Sequence, residues 1–391
     1  MAHLRILEQL LRERLATHRI VGVSGPKQIG KTAVCSALSR HRLDWDRIAD
    51  RLVILAGPAA VIQHLGLDRL RGRPITLILE NLHRHRQWPA FLRKLSSRCG
   101  TNLRLLVSMP AEVRGAGRAG GLCNVRLHPW SVGECARNNL STALINPPAA
   151  ISDDDWNALL EHGGFPEPFS KRDSRLTRRW DARRWAELID DDLPKFAAVR
   201  DPAPVQRLAM LLVSRSATQL IYSDLGRELS LSVDTVKRWV QLLETMQLGF
   251  RVRPWFTRVP KALRKEPRWF LRDWSGVIDQ KARTQTFVAC HLLKAVQSWQ
   301  DAGLGRFELC YVRDKARRQV DFLVIRDGKP WFMIDVGAPE GKQGWLKHFQ
   351  RHTRAQHAFR LLMDMPYSPV DCFAQGVPTR VSARTLLSQL P

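Results

Sequence analysis

Residues 19–39 constrain the fold most, because they read as a strand, a glycine-framed loop and a helix in immediate succession. Arg19-Ile20-Val21-Gly22-Val23-Ser24 is an apolar, β-branched run suited to a buried parallel strand. Gly25-Pro26-Lys27-Gln28-Ile29-Gly30-Lys31-Thr32 then has the spacing of a phosphate-binding loop. The two framing glycines let backbone N–H groups converge on phosphate oxygens, where a side chain would obstruct. Lys31 is placed to reach the terminal phosphates and the Thr32 hydroxyl to ligate magnesium. Residues 31–39 read as a helix whose N-terminus, with Ala33, faces the anion. Strand, loop and helix stand in the order that binding of ATP and Mg2+ demands.

The second half of such a site is a hydrophobic strand ending in acidic residues that hold the magnesium shell and polarise the attacking water. Pro74-Ile75-Thr76-Leu77-Ile78-Leu79 is that strand, and it ends in Glu80-Asn81. Glu80 can reach a metal through water. Asn81 cannot take a proton from a nucleophile, because a neutral amide is not a base. His83 and His85 follow, and their spacing reads as a solvated helix face.

With 391 residues and 44% hydrophobic residues, the chain has material for two to four domains. Its 62 Lys and Arg against 37 Asp and Glu give a formal charge of +25, spread along the whole length. That balance favours a polyanionic partner, DNA first among them; the alternative is solvated surface charge from an arginine-rich composition. Seven scattered cysteines without a CxxC pair speak against a disulfide framework and a zinc site. The charged amphipathic N-terminus is unlike a signal peptide, and no apolar run reaches membrane-spanning length, so the expectation is a cytoplasmic protein with no membrane partner.

An alternating strand and helix pattern runs to about residue 130. Strands are expected at residues 20–24, 52–56, 75–79, 103–107 and 125–127, forming an α/β layer with a parallel sheet. Ser108 ends the fourth and is placed to sense a γ-phosphate. Arg114 and Arg118 follow in a glycine-rich segment; Arg118 could act on a neighbouring subunit's nucleotide, or the segment could be a basic loop. Beyond Asn146-Pro147-Pro148 the pattern turns helical, with Trp156, Trp180 and Trp185 at core spacings. Asp190-Asp191-Asp192 reads as a solvated acidic turn.

Residues 203–273 read as a winged helix. Helices are expected at 205–214, 224–229 and 233–245, the last with Val233, Val236, Val240 and Leu243 on its apolar face. Thr235, Lys237, Arg238 and Gln241 lie opposite, residue types that meet phosphates and base edges. Two strands at 250–254 and 268–272 flank a basic wing carrying Arg258, Lys261, Arg264 and Lys265. The other use of such a fold is protein contact alone.

The last segment places Asp321 and Asp335 on neighbouring strands joined at Asp327-Gly328. Magnesium nucleases use such a pair with a lysine two residues on, but that position is Gly337; Lys329 and Lys342 are the nearby alternatives.

Several segments together resemble the bacterial and archaeal AAA-type ATPases that carry a winged helix and a C-terminal restriction-endonuclease-like domain of unknown function. They are the loop at residues 25–32, Leu127-His128-Pro129-Trp130-Ser131 with Glu134, and Gly163-Gly164-Phe165-Pro166-Glu167-Pro168. Thr235-Val236-Lys237-Arg238-Trp239 with Leu243-Glu244, and Tyr311-Val312-Arg313-Asp314 with Val320-Asp321-Phe322, complete the match. The resemblance implies an ATPase core at residues 1–145, a helical lid at 146–202, a winged helix at 203–275 and a restriction-endonuclease-like domain at 276–391, where departures from the family pattern point to an inactive one. It also implies ring or filament assembly as a homo-oligomer. The chain departs from the family at Glu80-Asn81, Gln319-Val320-Asp321 and Asp335-Val336-Gly337, so both candidate catalytic centres are altered. Three functions follow: a DNA-binding protein whose assembly or movement is set by nucleotide state, a nucleotide-bound scaffold that does not hydrolyse, and a metal-dependent nuclease at Asp321 and Asp335.

Overall fold

A computed structural model describes residues 5–67, 74–110, 121–137, 141–193, 202–256, 266–316, 318–337 and 344–391. The chain divides into two compact units, Met1–His128 and Pro129–Pro391.

The first unit opens with α1 (Ile6–Thr17), which buries Leu7, Leu10 and Leu11 at helical spacing. Then come β1 (Ile20–Ser24), α2 (Lys31–Ser36), β2 (His41–Asp44), α3 (Ile48–Leu55), α4 (Pro58–His64), β3 (Ile75–Glu80), α5 (Trp88–Cys99), β4 (Leu103–Met109) and β5 (Cys123–Arg126). The five strands pair in parallel in the order β2-β3-β4-β1-β5. All five residues of β1 are buried, as expected of the strand that lies between β4 and β5 with helices on the sheet faces.

Two expectations need correction. Residues 52–56 are not a strand: they fall mostly in α3, where Ile54 is buried while Leu52 and Leu55 are 63% and 56% exposed. An apolar β-branched run cannot distinguish a short helix from a strand by periodicity. The sheet position beside β3 belongs instead to His41-Arg42-Leu43-Asp44, an edge strand whose first two residues are exposed and polar. Also, α2 ends at Ser36 rather than 39; the Ser39 hydroxyl donates to the Thr76 carbonyl at 2.5 Å as the chain turns into β2.

The second unit begins with α6 (Val132–Ala136), α7 (Asp153–His162), α8 (Pro166–Lys171) and α9 (Ser174–Ala186), which runs on into a π-helical turn, Glu187–Asp192. Asp190 is exposed on that turn, so the acidic run continues a helix rather than forming a loop. Next are α10 (Ala203–Ser214), α11 (Tyr222–Leu229), α12 (Val233–Thr245), β6 (Gly249–Pro254) and β7 (Arg268–Leu271). The chain closes with α13 (Gln280–Asp301), β8 (Phe307–Arg313), β9 (Gln319–Arg326), β10 (Lys329–Val336), α14 (Gly344–Thr353), β11 (His357–Leu362), β12 (Thr379–Ser382) and α15 (Ala383–Ser388).

Seven strands form one mixed sheet in the order β12-β11-β10-β9-β8-β6-β7. The β6–β7 hairpin therefore extends the C-terminal sheet, through a short parallel pairing of Arg253 and Pro254 with Cys310 and Tyr311. Asp327 and Gly328 both adopt positive φ, 49° and 77°, the turn geometry that matches the twist of the β9–β10 hairpin. Phe287, Phe332 and Phe359 are fully buried beneath the sheet, and Trp156 and Trp180 are packed as expected.

Residues 129–137 belong with this second unit. The Lys294 ammonium donates to the Glu134 carboxylate, to Ser131 Oγ at 2.9 Å and to the Pro129 carbonyl at 3.1 Å. His291 Nε2 accepts the Val132 N–H at 3.1 Å. Glu134 and Lys294 are almost wholly buried, and burying two charges is tolerable only when they are paired and hydrogen-bonded in this way.

Candidate functional site

The phosphate-loop segment leaves β1 at Ser24 under tight steric limits. A Cβ at Gly25 would stand 2.5 Å from the Leu127 carbonyl oxygen, so only glycine fits. Gln28 and Gly30 turn the loop with φ of 61° and 95° before α2 begins at Lys31. Lys31 folds back onto its own loop, its ammonium donating to the Gly25 carbonyl at 2.9 Å and the Pro26 carbonyl at 2.6 Å. Burial lowers its pKa to about 8, a shift that the nearby Glu80 carboxylate resists. Thr32 and Ala33 are exposed on the first turn of α2.

Strand register brings the remaining polar groups into line at the carboxyl ends of the strands, the edge where open parallel sheets bind ligands. Asp44 pairs with Glu80, Glu80 with Ser108, and Ser108 with Val23, which precedes the loop by two residues. Glu80 is 4% exposed. One of its oxygens is ion-paired with Arg42 of β2; the other, Oε1, is buried without a hydrogen bond. An orphaned carboxylate oxygen on this edge is a group that the water shell of a magnesium ion would satisfy. Together with the glycine-only cradle at Gly25, it fits a magnesium-bound nucleoside triphosphate.

Asn81 is held differently. It adopts φ of 53°, and its side-chain amide donates to Asp44 Oδ1 at 3.2 Å and Asp46 Oδ2 at 3.0 Å. Arg84 also pairs with Asp46. The amide is thus a fixed donor inside an acidic network, not an acceptor of protons. The sequence pattern does not mark Asp44 and Asp46, because the short polar strand that positions Asp44 carries no period-two signal.

His83 departs from the solvated helix face expected for it. It sits on a 3₁₀ turn, Leu82–Arg84, half-buried, with Nδ1 lacking a hydrogen-bond partner. Burial, then the Arg84 charge, lowers its pKa to about 4, and Lys31 and Lys27 push the same way, so the ring is neutral at pH 7. His85 stacks on Trp45 with ring centroids 5.1 Å apart. Arg114 and Arg118 lie outside the described residues.

In the second unit, α12 buries Val236, Val240 and Leu243, while Val233 at its start is 39% exposed. Lys237, Arg238 and Gln241 project to solvent. Thr235 belongs to the helix cap: its N–H donates to Ser232 Oγ at 3.2 Å, and its hydroxyl accepts from that of Ser232 at 2.9 Å. Arg258, Lys261, Arg264 and Lys265 lie outside the described residues.

Asp321 and Asp335 do lie side by side on β9 and β10, one register step beyond the Ile334–Phe322 pair. Asp321 Oδ1 accepts from Arg268 at 3.0 Å and from Gln285 at 2.9 Å, and its Oδ2 accepts the Val336 N–H at 3.0 Å. Asp335 is ion-paired with Arg360 of β11. Burial, then the Asp321 charge, raises the Asp335 pKa to about 6 against the opposing pull of Arg360. A Cβ at Gly337 would collide with the Arg360 guanidinium, which fills the space a lysine there would use. Lys329 stands at the other end of β10, roughly 20 Å along the strand, and Lys342 lies outside the described residues. Among the described residues, no group of three or more His, Cys, Asp or Glu side chains is arranged to hold a metal ion.

The family described as Domain of unknown function (DUF8612) matches residues 153–278, from α7 to just beyond β7. An uncharacterized protein of Mycobacterium tuberculosis and one of Mycobacterium bovis are each 24% identical over 348 residues, spanning 82% of this chain and 71% of theirs. A Walker-type ATPase of Pyrococcus abyssi is similar in structure at a TM-score of 0.42 and 11% identity, over 72% of this chain and 94% of that one. Caenorhabditis elegans PCH-2 is similar at a TM-score of 0.25 and 14% identity, over 60% of this chain and 67% of its own. Likenesses this weak leave the site to be judged by its own geometry. No described helix is long and apolar enough to cross a membrane.

Proposed function

We propose that this chain is an AAA-type protein that binds ATP with Mg2+ and binds DNA, its nucleotide state controlling oligomer assembly or remodelling on the DNA. The observation that carries the nucleotide half is the line of Asp44, Glu80 and Ser108 beside the glycine-only loop, with the buried Glu80 Oε1 left unsatisfied. In this reading Lys31 leaves the loop carbonyls for the terminal phosphates, Thr32 ligates the metal, and Glu80 holds its water shell.

Hydrolysis is slow or depends on DNA. Asn81 supplies no base, and Arg42 competes with the metal for Glu80. A scaffold in which ATP is held without turnover is the second reading, favoured by the commitment of the Asn81 amide to Asp44 and Asp46.

The DNA half rests on the exposed Lys237, Arg238 and Gln241 of α12, read as the recognition helix of a winged helix made of α10, α11, α12 and the β6–β7 hairpin. The overall charge of +25 supports a polyanionic partner. The nuclease reading loses ground, because Arg268 and Arg360 neutralise the two carboxylates that would bind its metal.

The deciding measurement is phosphate release from ATP with and without duplex, single-stranded and branched DNA, in the wild-type chain and in Lys31→Ala. DNA-stimulated release that vanishes in the variant supports the first reading. Stable ATP binding without release over many hours moves the assignment to the scaffold. Magnesium-dependent DNA cleavage that is lost in Asp321→Ala would restore the nuclease.

A further inference from the structure

A cavity of about 450 Å³ opens in the second unit between α9 with its π-helical extension, α10 and the loop after β7. Its volume lies within the range of small-molecule sites. The walls are apolar, formed among others by Trp185, Leu188, Met210, Leu248 and Leu271. Leu188 projects from the π-helical turn, a distortion that recurs at functional sites.

The charged lining is unequal. Arg184 is bonded to Asp273 Oδ2 at 3.0 Å, and its guanidinium lies 4.0 Å from the centroid of the Phe165 ring. The other oxygen of Asp273, Oδ1, accepts from the Ser275 hydroxyl at 2.7 Å and its N–H at 3.1 Å. Arg283, from α13, is committed to the carbonyls of Trp274 and Ser275. These groups satisfy one another. Asp181, also on the lining, is half-buried and makes neither a hydrogen bond nor an ion pair. The cavity therefore presents one carboxylate without a directly bonded cation in a largely apolar wall, and such a group calls for a cation with apolar flesh.

We propose that this cavity binds a small organic ammonium ion, its charge on the Asp181 carboxylate and its apolar body against Trp185, Leu188 and Met210. The reading is independent of the nucleotide site, and the whole lining falls within the stretch matched by the domain of unknown function.

The titration behaviour agrees. Burial, then the Asp273 charge, raises the Asp181 pKa to about 7, opposed by Arg184 and Arg283. Those three are the charged groups that act on it from α9, the post-β7 loop and α13. A bound cation favours the ionised form, so binding releases a proton below pH 7 and affinity falls as the pH drops through that value.

The test is isothermal titration of the full chain with phenethylammonium, alongside the neutral phenethyl alcohol. At pH 8 the amine is expected to bind one site at least tenfold more tightly than the alcohol. The advantage should shrink about tenfold at pH 6, as Asp181 takes up its proton. It should disappear in Asp181→Asn. Met210→Trp, which fills the cavity mouth from a partly exposed position, should abolish binding of both compounds, with folding of each variant checked by circular dichroism. Equal affinity for amine and alcohol, undiminished amine binding in Asp181→Asn, or no binding by phenethyl-, butyl- or ethylammonium would each overturn the assignment. Nα-acetyl-lysine amide binding tenfold more tightly than phenethylammonium would overturn the small-molecule assignment in favour of a lysine side chain.

Discussion

Arg360 on β11 stands in direct register with Asp335 on β10, and the two side chains form an ion pair across parallel strands. The same guanidinium occupies the space that any side chain at position 337 would enter. The Asp335 carboxylate is thus held by a neighbouring cation, and a side chain at position 337 could enter only if that guanidinium moved aside. Arg268 treats Asp321 in the same way, and Arg42 treats Glu80. Asp335, Asp321 and Glu80 are thus each ion-paired with an arginine of another strand.

A lysine introduced at position 337 has to displace the Arg360 guanidinium. Gly337→Lys is expected to push the Arg360 guanidinium off Asp335 and to destabilise the fold by about 1–3 kcal/mol through the lost charge-assisted bond. Arg360→Ala removes the same bond, so the double variant should lose little more than the larger of the two single losses. Urea unfolding of the single and double variants checks this, and additive losses would contradict the proposed shared cause.

Nucleotide affinity should depend on pH through Lys31. Its pKa in the free protein is lowered to about 8 by burial, whereas bound phosphates favour the charged form and raise it. Below pH 8 the lysine is already charged and affinity should be flat. Above pH 8 binding must recruit a proton, so affinity should fall by up to about tenfold per pH unit. Titration of a fluorescent ATP analogue from pH 7 to pH 9.5 measures the profile; a flat curve throughout would remove Lys31 from the contact.

The exposed face of α12 gives a salt-dependent signature. If Lys237 and Arg238 meet phosphates, replacing both with alanine should lower the slope of log affinity against log salt by about 2, near 0.9 for each lost contact. Fluorescence anisotropy with duplex DNA at several salt concentrations reads this directly. An unchanged slope would show that DNA, if bound, lies elsewhere.

The buried Glu134–Lys294 pair is expected to be structural. Lys294→Met leaves the Glu134 carboxylate buried without its cation and should cost about 3–5 kcal/mol. The double variant Glu134→Leu/Lys294→Met should unfold closer to wild type than either single change, because an apolar pair leaves no stranded charge. Thermal unfolding followed by circular dichroism would reveal the difference.

The sequence by itself determined the features that are local. The loop at residues 25–32, the strands of residues 20–24 and 75–80, the hairpin at Asp327-Gly328 and the amphipathic α12 are each set by neighbours within a few positions, through glycine conformation, β-branching and helical spacing. The absence of a base at Asn81 was equally legible, since it follows from the side chain's chemistry.

Tertiary structure alone decided what depends on register between distant segments. It gave the sheet edge to polar residues 41–44 and made most of residues 52–56 helical, because edge pairing needs backbone partners rather than apolar side chains. It set Asp44 beside Glu80, aimed the Asn81 amide at two aspartates and paired Arg42, Arg268 and Arg360 with the acidic residues. It also set Asp181 on a largely apolar cavity without a hydrogen-bonded or ion-paired partner. Charge pairing across strands and helices is fixed by three-dimensional neighbourhood, and a linear pattern carries no record of it.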